Sequence, residues 1–410
     1  MKSILRFVDK NLAPFFGKLN TNPYIEGLRD GMIATLPFTV IGSVFIIIWQ
    51  FPSTTWQNII APYSGMLSVP YQMTMGIIAL YTAFAIGYYA GKAFKQDALS
   101  CGIISFVGFM FLQVNDEYQL ITTYFGSEGI FPALVVALFS VKVTELFHKR
   151  GLYIKFPKGV PAAVEKSFAS LAPSFAIIIF LFVVRCILKI QIQEIIITLF
   201  SPLVFALNTL PGILVFMVVG QILWCAGIHG MSIVNAIGQP IFLTYIAANA
   251  EAYLANEPIP YITANGFTSC FISLGGSGAT LALVLLMCFS KDKSYKMLGR
   301  LSLPGGIFNI NEPVIFGMPI IMNPIMMIPF VLIDILLIIG TYALMEFGII
   351  GLPVANVPWI MPPIIGAYLC TGGNIPAALW SFAGLIIAAA VYYPFFKIAE
   401  KQRMNIEIEN

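Results

Sequence analysis

The sequence predicts an all-α integral membrane protein with about ten transmembrane helices, two re-entrant hairpins and an amphipathic linker helix. Composition is the first reason. Of 410 residues, 59% are hydrophobic and only 10% are charged, against roughly 45–50% apolar and 25% charged in soluble domains. The second reason is arrangement: the apolar residues fall in blocks of about 20, the length that crosses a bilayer core as a helix. The third is the lack of regular strand alternation, which argues against a β-barrel.

Candidate spans lie at about 31–50, 71–91, 98–113, 127–147, 168–190, 211–227, 232–250, 267–290, 324–346 and 376–397. The basic residues orient them. If both termini face the cytoplasm, 20 of the 22 Lys and Arg fall inside, and only Arg185 and Lys189 fall on the other side. That asymmetry is the positive-inside pattern for an even number of crossings, and the two exceptions are expected to snorkel to the interface. The net charge of +3 is spread over short loops, so it reads as topology and not as a nucleic-acid surface. The head of the chain, Met1 to Asp30, is mixed and polar, without the early apolar core of a cleavable signal. The loop at 51–70 carries no charge.

Three segments are not plain spans. Residues 191–210 mix polar residues with an apolar stripe and contain Pro202, which suits an interfacial amphipathic helix. That helix divides the chain into an N-terminal unit, 1–190, and a C-terminal unit, 211–410. Residues 255–278, ending in Gly275-Gly276-Ser277-Gly278, and residues 303–323 are too broken for full helices and too apolar for aqueous loops. They suit re-entrant hairpins, in which irregular backbone lines a protected polar cavity. Residues 347–375 are similarly interrupted by Pro and Gly and are read as a loop dipping into the membrane.

Ionisable groups at membrane depth are costly and mark function. His229 sits between glycines at 227 and 230, where a ligand or backbone can approach closely. The chain has only two histidines, and the other, His148, lies beside Lys149 and Arg150 at a span end. Glu312 lies in Asn309-Ile310-Asn311-Glu312-Pro313. There Asn311 is placed to cap a short half-helix, Pro313 suits its first turn, and the carboxylate sits at the helix's positive end, able to accept two hydrogen bonds from adjacent sugar hydroxyls. Asp334 is mid-span and reads equally as structural or functional; Glu346 reads as interfacial. Trp359 and Trp224 are candidates for packing on a sugar ring, whereas Trp49 and Trp56 read as interfacial belt residues. The six cysteines include no CxxC pair, and no cofactor or metal site is expected. No P-loop, GxSxG or HExxH run is present, which disfavours a pump or a membrane hydrolase.

Four ordered runs carry a resemblance. They are Ile228-His229-Gly230, GGSGATL from Gly275 to Leu281, NINEPVIFG from Asn309 to Gly317, and the spaced pattern Pro157, Val160, Pro161, Ala163, Val164, Ser167, Phe168, Leu171, Pro173. Together the chain resembles the membrane component, enzyme IIC (EIIC), of the phosphoenolpyruvate-dependent phosphotransferase system, in its lactose/cellobiose/diacetylchitobiose branch. The resemblance spans essentially the whole chain. It implies a homodimer in a bacterial inner membrane, with N-terminal spans at the dimer interface and C-terminal spans enclosing one β-linked disaccharide such as cellobiose or diacetylchitobiose. It assigns sugar contact to His229 and Glu312, with Asn311, Ser277, Trp359 and Trp224 as further binding candidates. It also implies group translocation. The C-terminal unit carries the sugar across, and a soluble enzyme IIB (EIIB), fed by EIIA, HPr and enzyme I, passes a phosphoryl group to a sugar hydroxyl while Glu312 or His229 acts as base or aligns the attack. About 13 residues follow Lys397, so the phosphoryl-carrying residue is expected on another polypeptide, docked at the basic stretches 149–166 and 291–300. The competing expectation is a proton-coupled secondary transporter that titrates Glu312, Asp334 and His229.

Overall fold

In a computed structural model of the chain, the described residues are 22–49, 54–154, 168–225, 227, 230–318, 320 and 323–409. They are helical throughout apart from loops and one isolated bridge, Val114 to Leu120. The first part of the chain runs through α1 (Pro23–Trp49), α2 (Thr54–Ile60), α3 (Ser64–Gln72), α4 (Ile78–Ala93), α5 (Ala98–Leu112), α6 (Ile130–Lys149) and α7 (Leu171–Phe182), which ends in one π turn, Val183–Ile187. Then α8 (Ile192–Leu207) leads into α9 (Leu210–Cys225), α10 (Gly230–Ala255), α11 (Phe267–Phe271), α12 (Thr280–Cys288), α13 (Lys293–Ile307), α14 (Glu312–Gly317), α15 (Pro324–Glu346), α16 (Pro363–Cys370) and α17 (Ile375–Glu409).

Among the described residues four helices are long and apolar enough to cross a membrane, and up to six if each bent pair forms one span. Shorter apolar helices, α5 and α9, add to these. Their surfaces match that reading, since large apolar side chains stand exposed along α1 (Phe38, Ile41, Ile48) and α17 (Leu379, Phe382, Ile386). In lipid, apolar burial does not drive helices together, and close packing through small residues does. Here α1 meets α4 through Gly31, where an added Cβ would lie 2.6 Å from the Ile86 Cα. Likewise α4 meets α5 through Gly87, where an added Cβ would lie 2.7 Å from the Cys101 carbonyl.

Several sequence expectations change. Within the uncharged stretch expected as a loop at 51–70, the described residues, from 54 on, are helical, as α2 and α3. The stretch 267–290 is not one span, because the chain breaks between α11 and α12 at a glycine-rich turn. Arg185 has a partner that its position in the sequence does not reveal. It is 5% exposed and pairs with Asp116 at 2.8 Å, joining the π turn to the loop after α5. The linker expectation corresponds to α8, which turns 95° from the preceding helix and exposes Ile195, Leu199 and Phe205. Residues 157–167 of the spaced proline pattern lie outside the described residues.

The basic segments after α12 and within α17 gather at one end of the molecule. Glu400 accepts from the Ser290 hydroxyl at 2.5 Å and the Lys291 amide at 2.8 Å. Arg403 lies 3.5 Å from Asp292 and stacks over the Tyr295 ring. The non-helical stretch 351–357 is largely buried, and side-chain amides satisfy its backbone. Asn249 Nδ2 donates to the Tyr261 and Pro353 carbonyls at 2.6 and 2.7 Å. Asn356 accepts at Oδ1 from Asn265 at 2.7 Å, donates through Nδ2 to Thr39 Oγ1 at 2.6 Å, and donates its backbone N–H to Ser43 Oγ at 2.6 Å. A second tie between early and late helices runs from Ser127, whose amide and hydroxyl donate to the Glu251 carboxylate at 3.1 and 2.7 Å.

Asn356 is 2% exposed, and its replacement by Ala removes the acceptor of the half-buried Asn265 amide, while the Thr39 hydroxyl keeps its bond to the Leu36 carbonyl. The expected cost is about 1–3 kcal/mol for the stranded amide, read as a lower thermal unfolding midpoint in detergent. An unchanged midpoint would contradict this bonding scheme.

Candidate functional site

The site is built from two hairpin tips that face each other. The first is the turn between α11 and α12. Gly275, Gly276 and Gly278 have φ of +85°, +98° and +74°, and Ala279 follows at +50°. Only glycine takes such angles freely, so the sequence GGSG breaks the helix here. Packing adds a second reason at Gly276, where a Cβ would lie 2.6 Å from the Asn311 Nδ2. The turn is closed from within: Thr280 Oγ1 donates to the Gly275 carbonyl at 2.9 Å, and the Leu281 amide donates to the Leu274 carbonyl at 3.1 Å.

The second tip joins α13 to α14. At Asn309 the backbone turns left-handed, φ +62°, and the Ile310 amide returns to the Gly305 carbonyl at 2.9 Å, closing the end of α13. Asn311 occupies the N-cap position of α14, but its side chain does not cap that helix. The expected cap is replaced by a clamp: Asn311 Nδ2 donates to the Ser277 carbonyl and to Thr280 Oγ1, both at 2.9 Å. Asn309 clamps from the other side. Its Oδ1 accepts the Gly275 amide at 2.8 Å, while its Nδ2 donates to the carbonyls of Trp359 at 2.6 Å and Met361 at 3.1 Å. Three chain segments that are distant in sequence are thus locked together by two asparagines.

The lock leaves particular groups open. Ser277 is half-buried, and its amide and hydroxyl have no hydrogen-bond partner among the described residues. Glu312, the first residue of α14, is exposed and has no ion pair among the described residues. Trp359 is held by its backbone carbonyl while its side chain is 60% exposed. Together these offer hydroxyl, carboxylate and ring surfaces, the set that binds a polar ligand with an apolar face.

Trp224 is 3% exposed and belongs to the main apolar core at the end of α9. His229 lies outside the described residues; α9 ends four residues before it and α10 begins one residue after it. Asp334 is fully buried in α15 and accepts a hydrogen bond from Gln221 Nε2. The sequence reading did not single out Asn309 as a site residue, although it belongs to the same run as Glu312. It also gave no role to Tyr392, whose hydroxyl donates to the Gly278 carbonyl at 2.7 Å. Among the described residues no group of three or more His, Cys, Asp or Glu could hold a metal ion. A separate cleft of about 450 Å³, lined by Asn208, Thr209, Tyr342 and Glu346 among others, lies at the C-terminal end of α15 and shares no residue with the hairpin tips.

Comparison with known proteins gives a consistent picture. Residues 29–333 match the family described as phosphotransferase system, EIIC. The cellobiose-specific EIIC component of Geobacillus stearothermophilus is 35% identical, with 98% of this chain and 96% of that protein covered. The lactose-specific EIICB component of Staphylococcus aureus is 29% identical, with 99% of this chain but 74% of that protein covered. Among solved structures, the transporter ChbC, the IIC component of an N,N'-diacetylchitobiose-specific phosphotransferase system, superposes with a TM-score of 0.92. It is 34% identical, and 98% of this chain and 99% of that one are covered.

The turn geometry makes a direct prediction. Gly276→Ala places a Cβ at φ +98° and against Asn311, and the expected loss is about 1–3 kcal/mol of stability. Gly65, in α3 with open space around its Cα, is the control; Gly65→Ala should leave stability unchanged or slightly raised. Equal unfolding midpoints for the two variants would refute the account of the turn.

Proposed function

The chain belongs to the EIIC family of the phosphotransferase system, and from that premise we propose that it takes up a β-linked disaccharide, such as cellobiose or diacetylchitobiose, between its hairpin tips for phosphorylation by a separate phospho-EIIB. The observation that carries this reading is the asparagine lock, which holds Glu312, Ser277 and Trp359 open around one locus. A pyranose fits such a locus chemically: its hydroxyls donate to a carboxylate and accept from a serine, and its apolar face packs on an indole. The relatives named for cellobiose and diacetylchitobiose point to the same sugar class.

The phosphoryl step in this reading is a displacement at phosphorus. The sugar hydroxyl oxygen attacks, the S–P bond to the EIIB cysteine breaks, an O–P bond forms, and the hydroxyl proton passes to Glu312 or His229 acting as base. The thiolate leaves with EIIB. The remaining task of the chain is alignment, which a rigid pair of tips provides. The EIICB name of the lactose-specific relative places an EIIB beside an EIIC in one protein. In this reading the chain works as a homodimer through residues 1–190, residues 211–410 carry the sugar, 191–210 link the two, both termini are cytoplasmic, and EIIA, HPr and enzyme I act upstream. The clustering of Lys291, Lys397 and Arg403 at one end supports the orientation. The proton-coupled alternative needs Glu312, Asp334 and His229 in one relay. The burial of Asp334 against Gln221, away from the open face that Glu312 presents, speaks against it.

Two outcomes are expected. Glu312→Gln and His229→Ala should each weaken disaccharide binding to the purified protein by more than about tenfold, or roughly 1.4 kcal/mol, in calorimetric titrations with cellobiose and diacetylchitobiose. Wild-type affinity in both variants would remove these residues from the site. Reversing the charges of Lys291, Lys293, Lys296 and Arg300 should slow sugar phosphorylation by phospho-EIIB without changing sugar affinity. An unchanged rate would show that EIIB docks elsewhere.

A further inference from the structure

Behind the first hairpin tip lies a buried polar group that the proposed chemistry does not use. Asp334 sits in the middle of α15 and is fully buried. The groups facing it come from three other elements: Gln221 and Cys225 from α9, the Gly278 backbone from the turn, and Tyr392 from α17. All can hydrogen bond and none is a cation. Gln221 donates to one oxygen of the carboxyl; the other oxygen, and Gln221 Oε1 itself, have no partner among the described residues. One turn earlier on the same helix, Phe330 packs on Gly278, so close that a Cβ there would meet the ring. Tyr392 holds the Gly278 carbonyl from the far side at 2.7 Å. The turn is therefore gripped twice: by Asn309 and Asn311 on one side and by Phe330 and Tyr392 on the other, with the Asp334 carboxyl beside the Gly278 backbone and tied to α9 through Gln221.

We propose that Asp334 is a positioning residue for the sugar site, one that works as a hydrogen-bonding group and not as a carried charge. Its contacts join the turn bearing Ser277 to α9, the helix that leads to Trp224 and the segment containing His229. An ion pair would be the usual reason to keep a carboxyl at this depth, and none is present among the described residues. What remains is shape and hydrogen bonding, which fix the turn relative to α9. This inference rests on the sugar-site reading for its consequence, but the grip on the turn can be measured without any sugar.

The test uses the full chain in detergent with three substitutions. Asp334→Asn preserves size and hydrogen bonding and removes the charge. Asp334→Leu preserves approximate size and removes both. Tyr392→Phe removes only the hydroxyl that holds Gly278. Amide hydrogen exchange over residues 273–283, measured without ligand, should match wild type in Asp334→Asn and be faster in the other two. Cellobiose affinity should stay within about threefold of wild type in Asp334→Asn, with the same profile across roughly pH 5–8. It should fall by about tenfold or more in Asp334→Leu, with a smaller loss in Tyr392→Phe. Exchange in Asp334→Asn as fast as in Asp334→Leu would mean the charge is required and would overturn the proposal. Wild-type exchange in Asp334→Leu would overturn it as well, whatever Tyr392→Phe shows.

Discussion

Every backbone amide and carbonyl at membrane depth must find a partner within the protein, because lipid offers none. Helices meet this demand internally. This chain also places stretches of non-helical backbone among its apolar helices, and the rest of the structure depends on how those stretches are satisfied. The agents are asparagine side chains. Asn249 and Asn356 fasten the buried strand-like segment 351–357 to neighbouring helices, and Asn309 and Asn311 fasten the two hairpin tips to each other. A side-chain amide suits the task, since one group donates and accepts at once without bringing a charge into a dry region.

The consequence for function is a division of labour within one short run. In Asn309-Ile310-Asn311-Glu312, both asparagines are occupied with holding backbone, and the Glu312 carboxylate is the polar side chain left exposed. Fastening falls to Asn309 and Asn311, three residues and one residue before the exposed Glu312. The same division appears on the opposing tip, where the glycines permit the turn, Thr280 closes it, and the Ser277 hydroxyl has no partner among the described residues. If the proposed sugar site lies here, tips locked this way spare the ligand the task of organising it, which favours transfer between aligned groups.

Membrane class, the breaks at GGSG and at 303–323, and the amphipathic linker were legible because each rests on local rules: run length, glycine's positive φ, and the polar-apolar stripe. The position of α15 was legible to the residue, since Asn323 and Pro324 form a strong helix start. What the sequence hid was long-range pairing. Nothing local marks Asn311 as a clamp and not a cap, because its partners lie about thirty residues away in the other tip. The ion pair of Arg185 is hidden for the same reason, as its counter-ion Asp116 is far off in the chain. The uncharged stretch 51–70 was mistaken for a loop because Pro and Gly interrupt its period, yet α2 and α3 form around them. Trp224 carried the chemistry of a sugar platform in sequence, but its packing in the core could be seen only in three dimensions.

The central claim is that this permease delivers its sugar as a phosphate ester, with the locked tips presenting a hydroxyl to a phosphorylated partner. The most direct measurement is chemical identification of labelled β-linked disaccharides taken up by cells expressing the chain, with and without the soluble phosphotransferase proteins. The account predicts recovery of the sugar phosphate, and only when the phosphoryl donor is present. Accumulation of unmodified sugar that collapses with an uncoupler would contradict it.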